Sequence, residues 1–402
     1  MKNEKSGILL TVLTSFLVLL VFVSIRMSGD WPGTERERVT AGFIYVGDES
    51  TPYTANFMRA AEDLRTRYGS RIRILERFNV AYDDPSTVIR ELADEKCDII
   101  FANSYGYGEA MKKMAAQYPK IQFCQATCED ANLEPVLSNY HNFMGEIYEG
   151  VYVTGCVAGR KLQEMIDEGS ITEEEAMLGY VGAFPVAEVI SAYTSFLLGA
   201  RTECPMARMK VCYTGTWSNY MKEKECAEKL IEEGCVVISQ DTDTVGPAVA
   251  CENAALPYPV IHVSYNQDMI SVAPTTSLTG CRIDWSPYVC SAVDAVFRDV
   301  SIEDELDAHI HGKDAGAGFS GGWVEMLELN RVIAPDGAAQ LINDKVEAFK
   351  NGKVHVFLGD HTGRDPEDPG DTIDLRTEYK ENSKGSAPTF HYVLDEVIEV
   401  VE

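Results

Sequence analysis

Polar and aromatic side chains recur at one kind of place in this sequence, just past short apolar runs. The stretch Cys97-Asp98-Ile99-Ile100-Phe101-Ala102 ends in Asn103, Ser104, Tyr105 and Tyr107, with Gly106 and Gly108 permitting a tight turn. Similar groups follow other runs: Asp48, Ser50 and Tyr53; Phe184 with Glu188; Trp217 beside Gly215; Asp241 to Asp243; and Asn266 with Asp268. Flat rings can stack on a flat ligand, while amides and carboxylates hydrogen-bond its edge. Trp217, directly after a strand and next to glycine, reads as a stacking platform. The chemistry expected is non-covalent capture of a small molecule, with no cofactor and no catalytic group. There is no G-x-S-x-G, P-loop or H-E-x-x-H pattern. Gly316 to Gly321 fits G-x-G-x-x-G, but the polar stretch Ala308 to Asp314 precedes it where a dinucleotide fingerprint needs a buried strand. It is read as a glycine-rich loop between lobes.

The elements that must position these groups follow from hydrophobic periodicity. Strands are expected at 40–46, 71–76, 98–102 and 121–124, separated by helices at 54–68, from 85 onward, and at 109–118. A crossing segment at 139–143 leads to a long helix, 145–166, whose Gly150, Gly155, Ala158 and Gly159 form a small-residue face. The alternation then restarts, with strands at 178–181, 210–213, 235–239 and 260–263 and helices at 186–201, 220–233 and 246–253. Repeated β-α units predict an α/β protein of two doubly wound, Rossmann-like lobes. Ligands of such sheets bind outside the carboxyl ends of the strands, where these polar and aromatic side chains fall. The first lobe is expected to comprise 39–139 plus about 284–302, and the second 140–283 plus about 303–360. Residues 335–350 read as a helix and 351–359 as a turn and strand. Residues 361–402 read as an extension, mostly tail from 365 on, with 360–371 an acidic surface turn and 392–400 a short strand or helix.

The chain has 402 residues, enough for two ordinary domains, and a formal charge of −28 that disfavours nucleic acid and anionic membrane surfaces as partners. Residues 1–29 hold an apolar run from Ile8 to Ile25, read as an uncleaved signal anchor or a cleaved export signal, followed by a polar linker at 30–38. The bulk of the chain is accordingly expected outside the membrane. The 11 cysteines are an odd number and mostly sit in apolar contexts, which favours buried thiols. Cys124-x-x-x-Cys128 lacks a second pair at zinc-site spacing.

Through these residues the chain resembles the basic membrane protein group of ABC-transporter substrate-binding proteins, of the purine-nucleoside-receptor type. The resemblance runs from about 40 to 360. It rests on Gly42 to Gly47, Ile99 to Tyr107, Tyr148 to Tyr152, Ala183 to Ile190, Leu198 to Arg201, Thr216-Trp217, Gln240 to Asp243, Leu278-Thr279 and Trp285 to Tyr288. It implies a type I periplasmic-binding-protein fold, whose lobes, joined by three crossovers, close on a purine base or nucleoside, and an ABC permease and ATPase as partners. It also implies that Tyr53, Asn56, Tyr105, Tyr107, Trp217, Asn266 and Asp268 line the cleft. Nucleoside-binding members usually carry an acid at the Asn266 position and a lysine where Ile283 falls, so a free base fits this chain better than a nucleoside. A ligand-sensing ectodomain acting with a separate signalling partner is the alternative reading.

Overall fold

A computed structural model describes residues 36–82 and 85–401; the expected signal anchor and most of the linker lie outside the described residues. Among the described residues, no helix is long and apolar enough to cross a membrane.

The first half builds β1 (Val39–Ile44), α1 (Pro52–Tyr68), β2 (Ile72–Arg77), α2 (Ser86–Asp94), β3 (Ile99–Ala102), α3 (Gly108–Gln117), β4 (Gln122–Ala126) and β5 (Tyr140–Gly145). The second builds α4 (Tyr148–Asp167), β6 (Met177–Gly182), α5 (Ala187–Arg201), β7 (Arg208–Tyr213), α6 (Tyr220–Glu232), β8 (Val237–Asp241), α7 (Gly246–Glu252), β9 (Ile261–Tyr265) and β10 (Ser277–Ile283). There follow α8 (Ser286–Arg298), β11 (His309–His311), β12 (Asp314–Ala317), β13 (Val324–Met326), α9 (Ala338–Lys350), β14 (Thr362–Arg364), β15 (Thr372–Asp374), β16 (Val393–Leu394) and β17 (Ile398–Val401).

Two seven-stranded sheets result. One has the order β11-β12-β5-β4-β3-β1-β2, the other β13-β10-β9-β8-β6-β7-β17. Within each, the pairing is parallel except at one edge, where β11 runs antiparallel to β12 and β13 antiparallel to β10. β3 is buried along its whole length, as a strand must be when helices cover both faces. The chain passes between the two bodies at 145–148, 283–286 and 317–324. After the first passage α4 packs on β10 and β13; after the second, α8 returns to pack on α1 and β1. The last passage contains the glycine-rich segment Gly318 to Gly322.

Residues 140–145, expected to open the second lobe as a crossing segment, instead form β5, paired parallel to β4 in the first sheet. Two expectations about the C-terminal third are also corrected. Residues 309–317, assigned from sequence to the second lobe, pair with the first sheet, β12 lying parallel to β5. The extension is no tail. β14, β15 and β16 form a small sheet of their own, Leu375, Phe390 and Leu394 are fully buried, and β17 adds a parallel edge strand beside β7. Side chains tie this segment to both bodies. Glu381 accepts hydrogen bonds from Ser191 Oγ on α5 at 3.1 Å and from the Phe390 backbone N–H at 3.0 Å, while the Ser386 N–H donates to Asp314 on β12 at 2.9 Å.

The small-residue face of α4 meets α5 at near backbone contact. A Cβ on Gly155 would lie 2.1 Å from the Phe196 carbonyl oxygen, and one on Gly159 equally close to that of Ala200. Since backbone cannot step aside as a flexible side chain would, Gly155→Ala is expected to cost about 1–3 kcal/mol of stability, read from urea unfolding. A loss under about 0.5 kcal/mol would show that the two helices separate freely.

Candidate functional site

The carboxyl ends of both sheets face a common cavity of about 520 Å³, counted to its open mouth. The first body contributes Val46 after β1, Tyr53 on the first turn of α1, Tyr82 after β2, Ser104 and Tyr105 after β3, and Thr127 after β4. The second contributes Glu188 at the start of α5, Trp217 after β7, Asp241 ending β8, Asp243 just beyond, and Tyr265 ending β9. A groove leads outward over Gly47, Thr51, Thr54, Phe184 and Ser218.

Local chemistry fixes most of these groups. Pro52 opens α1, where its missing N–H costs nothing, and the next residue is Tyr53. The Tyr53 hydroxyl donates to the Asn103 carbonyl, while Asn103 Oδ1 accepts from the Val46 N–H at 2.9 Å, so the loops after β1 and β3 brace one another. Gly106 lies against Tyr82, where a Cβ would sit 2.1 Å from the ring. In the second body the Asn219 side chain caps α6 by accepting from the Lys222 N–H at 3.1 Å. Glu223, fully buried, accepts from the Asn219 N–H at 2.8 Å and from the Thr244 N–H and hydroxyl at 3.0 and 2.6 Å. That carboxylate pins the Asp243 loop to the start of α6, just past Trp217. Trp217 packs edge-on against Phe184 at 5.7 Å and remains only partly buried.

The electrostatics are one-sided. Glu188, Asp241 and Asp243 lie together and no Lys or Arg is among the lining residues. Burial pushes Glu188 up to about 7. Burial, then the charges of Glu223 and Glu188, pushes Asp243 up to about 8. Asp241 is raised well above the usual carboxylate range by burial and by both neighbouring acids. With their pKa values held near neutral pH, Glu188 and Asp243 can each donate or accept a hydrogen bond as a ligand requires.

Of the residues expected from sequence, Tyr53, Tyr105, Glu188, Trp217 and Asp243 line the cavity and Phe184 lines its outer groove. The others lie elsewhere. Tyr107 is fully buried, its hydroxyl donating to the Val80 carbonyl at 2.5 Å, whereas Tyr105 is 68% exposed. The two were expected to act together, but residues 105–107 form a 3-10 turn that points them apart. Asn56 spans the two bodies by donating to the Ile283 carbonyl at 2.7 Å. Asp268 caps its own turn by accepting from the Ile270 N–H at 2.9 Å. Asn103 and Asn266 are buried behind the lining, with Asn103 Nδ2 and both Asn266 amide atoms unpartnered within the protein. Tyr82 and Thr127 were missed, although each follows a strand end and the rule that found the others applies to them. The described residues that could hold a metal ion are Asp365, Asp371 and His391, on the extension and outside the cavity lining.

Comparisons with known proteins agree with this architecture. The chain is 27% identical over 327 residues to a purine-binding protein of Brucella abortus, covering 80% of this chain and 84% of that one. It is 27% identical over 327 residues to a Haloferax volcanii protein named as an ABC transporter glucose-binding protein, covering 79% and 75%. Among solved structures, a solute-binding protein of an ABC transporter system from Conexibacter woesei superposes with a TM-score of 0.62 at 17% identity, over 79% of this chain and 97% of that one. Another from Aeropyrum pernix gives 0.61 at 12% identity, over 78% and 92%. These two share the fold, two parallel-sheet lobes as in type I periplasmic binding proteins. The family model for PnrA-like ABC transporter substrate-binding proteins, Bmp, matches residues 39–348, and the chain belongs to that family of extracytoplasmic solute-binding proteins.

Proposed function

We propose that the cavity binds a free purine base, or a closely similar flat heterocycle, and that closure of the two lobes around it presents the loaded protein to an ABC permease. The observation that carries this reading is the pairing of aromatic faces, Tyr53 and Trp217, with three acids and no lining base. A phosphate or carboxylate ligand would meet three acids and no countercharge, and would be desolvated without compensation, so nucleotides and organic acids are disfavoured. A purine offers π-faces for stacking, and its ring nitrogens and exocyclic groups supply both donors and acceptors to carboxyls poised between protonation states. Stacking contributes about 1–3 kcal/mol per base and a hydrogen bond to a charged group about 1.5–3, which together reach micromolar affinity, roughly −8 kcal/mol. The unpartnered amides of Asn103 and Asn266 add buried groups that a ligand or water would satisfy. Ile283 is buried and apolar where nucleoside-binding members carry lysine, which supports a base over a nucleoside.

A sugar is the second reading, favoured by the same carboxyls as hydroxyl acceptors and by the name of the Haloferax relative. Thermal shift and calorimetry on the protein would separate them, using adenine, guanine, adenosine, adenosine monophosphate and glucose as probes. Ligand that binds only the folded state raises its melting temperature by mass action. A shift with a base and none with the nucleotide or glucose is expected. A shift with glucose alone would replace the purine reading by the sugar one. Binding of the nucleotide as tight as that of the base would remove the electrostatic argument.

A further inference from the structure

The loop that carries Trp217 is flanked by two cysteines whose sulfurs nearly touch. Cys212 is the penultimate residue of β7 and Cys226 lies in the second turn of α6, with their Sγ atoms 2.8 Å apart. Non-bonded sulfurs keep a wider separation, and a bridge needs about 2.05 Å, so a small side-chain adjustment joins them. Other cysteines are engaged differently. Cys235 Sγ donates to the Leu178 carbonyl at 3.3 Å and Cys128 Sγ to the Tyr105 carbonyl at 3.4 Å. Cys212 alternates with the core-facing Met209 and Val211 and points to the other face of the sheet, where α6 packs through Ala227 and Leu230. Cys226 is partly exposed at the rim of that cluster, so an oxidant can reach it while Cys212 stays buried.

We propose that Cys212 and Cys226 form a disulfide that fixes the Trp217 loop between β7 and α6. The reaction is thiol–disulfide exchange with a small disulfide oxidant of the compartment. The Cys226 thiolate attacks the oxidant's disulfide, displacing one thiol and leaving a mixed disulfide. The Cys212 thiolate then attacks the Cys226 sulfur, forming the protein bridge and releasing the second thiol. Two protein thiols are oxidised and one oxidant disulfide is reduced to two thiols, the two protons passing to the released thiolates. The extracytoplasmic family to which the chain belongs works where such bridges persist. An odd total of 11 cysteines is consistent with one bridge and nine remaining thiols (11 − 2 = 9). The bridge closes a ring of about 15 residues that contains Trp217, so it removes freedom from the unfolded chain and from the loop alike. Its effect on ligand rests on Trp217 being the platform; the bridge itself does not.

The test takes the protein through incubation with oxidised glutathione, denaturation, alkylation without reductant, and peptide mapping by mass spectrometry. The expected result is one linked peptide pair, Cys212–Cys226, with nine alkylated cysteines. Reduction is expected to lower Tm by about 4–10 °C, and Cys226→Ser to match the reduced protein and lose all response to reductant. Adenine is expected to bind several-fold more weakly to the reduced form. Eleven alkylated cysteines, or a link between other positions, would overturn the bridge. A mapped bridge with equal adenine affinity in both redox states would keep it and remove its influence on Trp217, while absence of any purine binding would bear on the ligand reading alone.

Discussion

Trp217→Ala is expected to weaken binding of adenine by about 1–3 kcal/mol, between roughly fivefold and 150-fold in Kd, while leaving the Tm of the ligand-free protein nearly unchanged. The reason is where the ring sits. It is only partly buried, touches Phe184 edge-on, and lines both the cavity and its outer groove, so little core packing is lost with it. Calorimetry with adenine and a thermal melt of the free protein check the two halves separately. A fall in Tm comparable to that of a core truncation, with affinity preserved, would make Trp217 a packing residue and shift the platform to Tyr53. Trp217→Phe keeps a face and should restore most of the affinity.

The ligand-free protein is expected to lose stability as pH rises from about 5 to 8.5. Glu188 and Asp243 have folded values of about 7 and 8, above those of the unfolded chain, mainly because burial penalises their charged forms. The folded state therefore binds more protons. The stability this confers is complete below the unfolded carboxyl pKa and is lost as pH climbs through 7 and 8. Each pKa unit corresponds to about 1.4 kcal/mol, and with solvent entering the cleft mouth the pair contributes on the order of 3–5 kcal/mol across that window. Glu149 adds a loss of the same sign, its carboxyl being held at about 7 by burial. Urea melts at pH 5 and pH 8.5 measure the slope. Glu188→Gln with Asp243→Asn should reduce the slope, the rest coming from Asp241 and Glu149, and make the variant more stable than the parent at pH 8.5 but not at pH 5. An unchanged slope in that variant would show that the two acids titrate like exposed carboxyls.

Apart from β5, read as a crossing segment, the alternation of strands and helices up to β9 was legible because parallel strands buried on both faces leave dense apolar runs and the helices between them keep a 3.6-residue period. β3 was expected at 98–102 and found at Ile99–Ala102; α5 was expected at 186–201 and found at Ala187–Arg201. The rule that ligands meet the carboxyl ends of such strands then pointed to most of the cavity. It failed where local geometry decides direction. Tyr105 and Tyr107 look equivalent in sequence, but a single 3-10 turn sends one to the cleft and the other to the Val80 carbonyl. β11 and β12 were misassigned because three- and four-residue strands rich in His, Gly and Asp carry no hydrophobic period. β17 overlaps the stretch 392–400, read as a short strand or helix, and only its pairing was missed. Its partner β7 lies far back in the chain, and nothing local specifies a pairing at that separation.

The extension has a mechanical consequence. Glu381 is bonded to α5 in one body, and Ser386 is bonded to β12 in the other. Five residues at full stretch reach only about 18 Å. While both bonds hold, the Cα atoms of Glu381 and Ser386 cannot stand farther apart than that, and the side chains that reach α5 and β12 lengthen the link only slightly. The segment after α9 is thus a short tie between the two bodies, alongside the three passages of the chain.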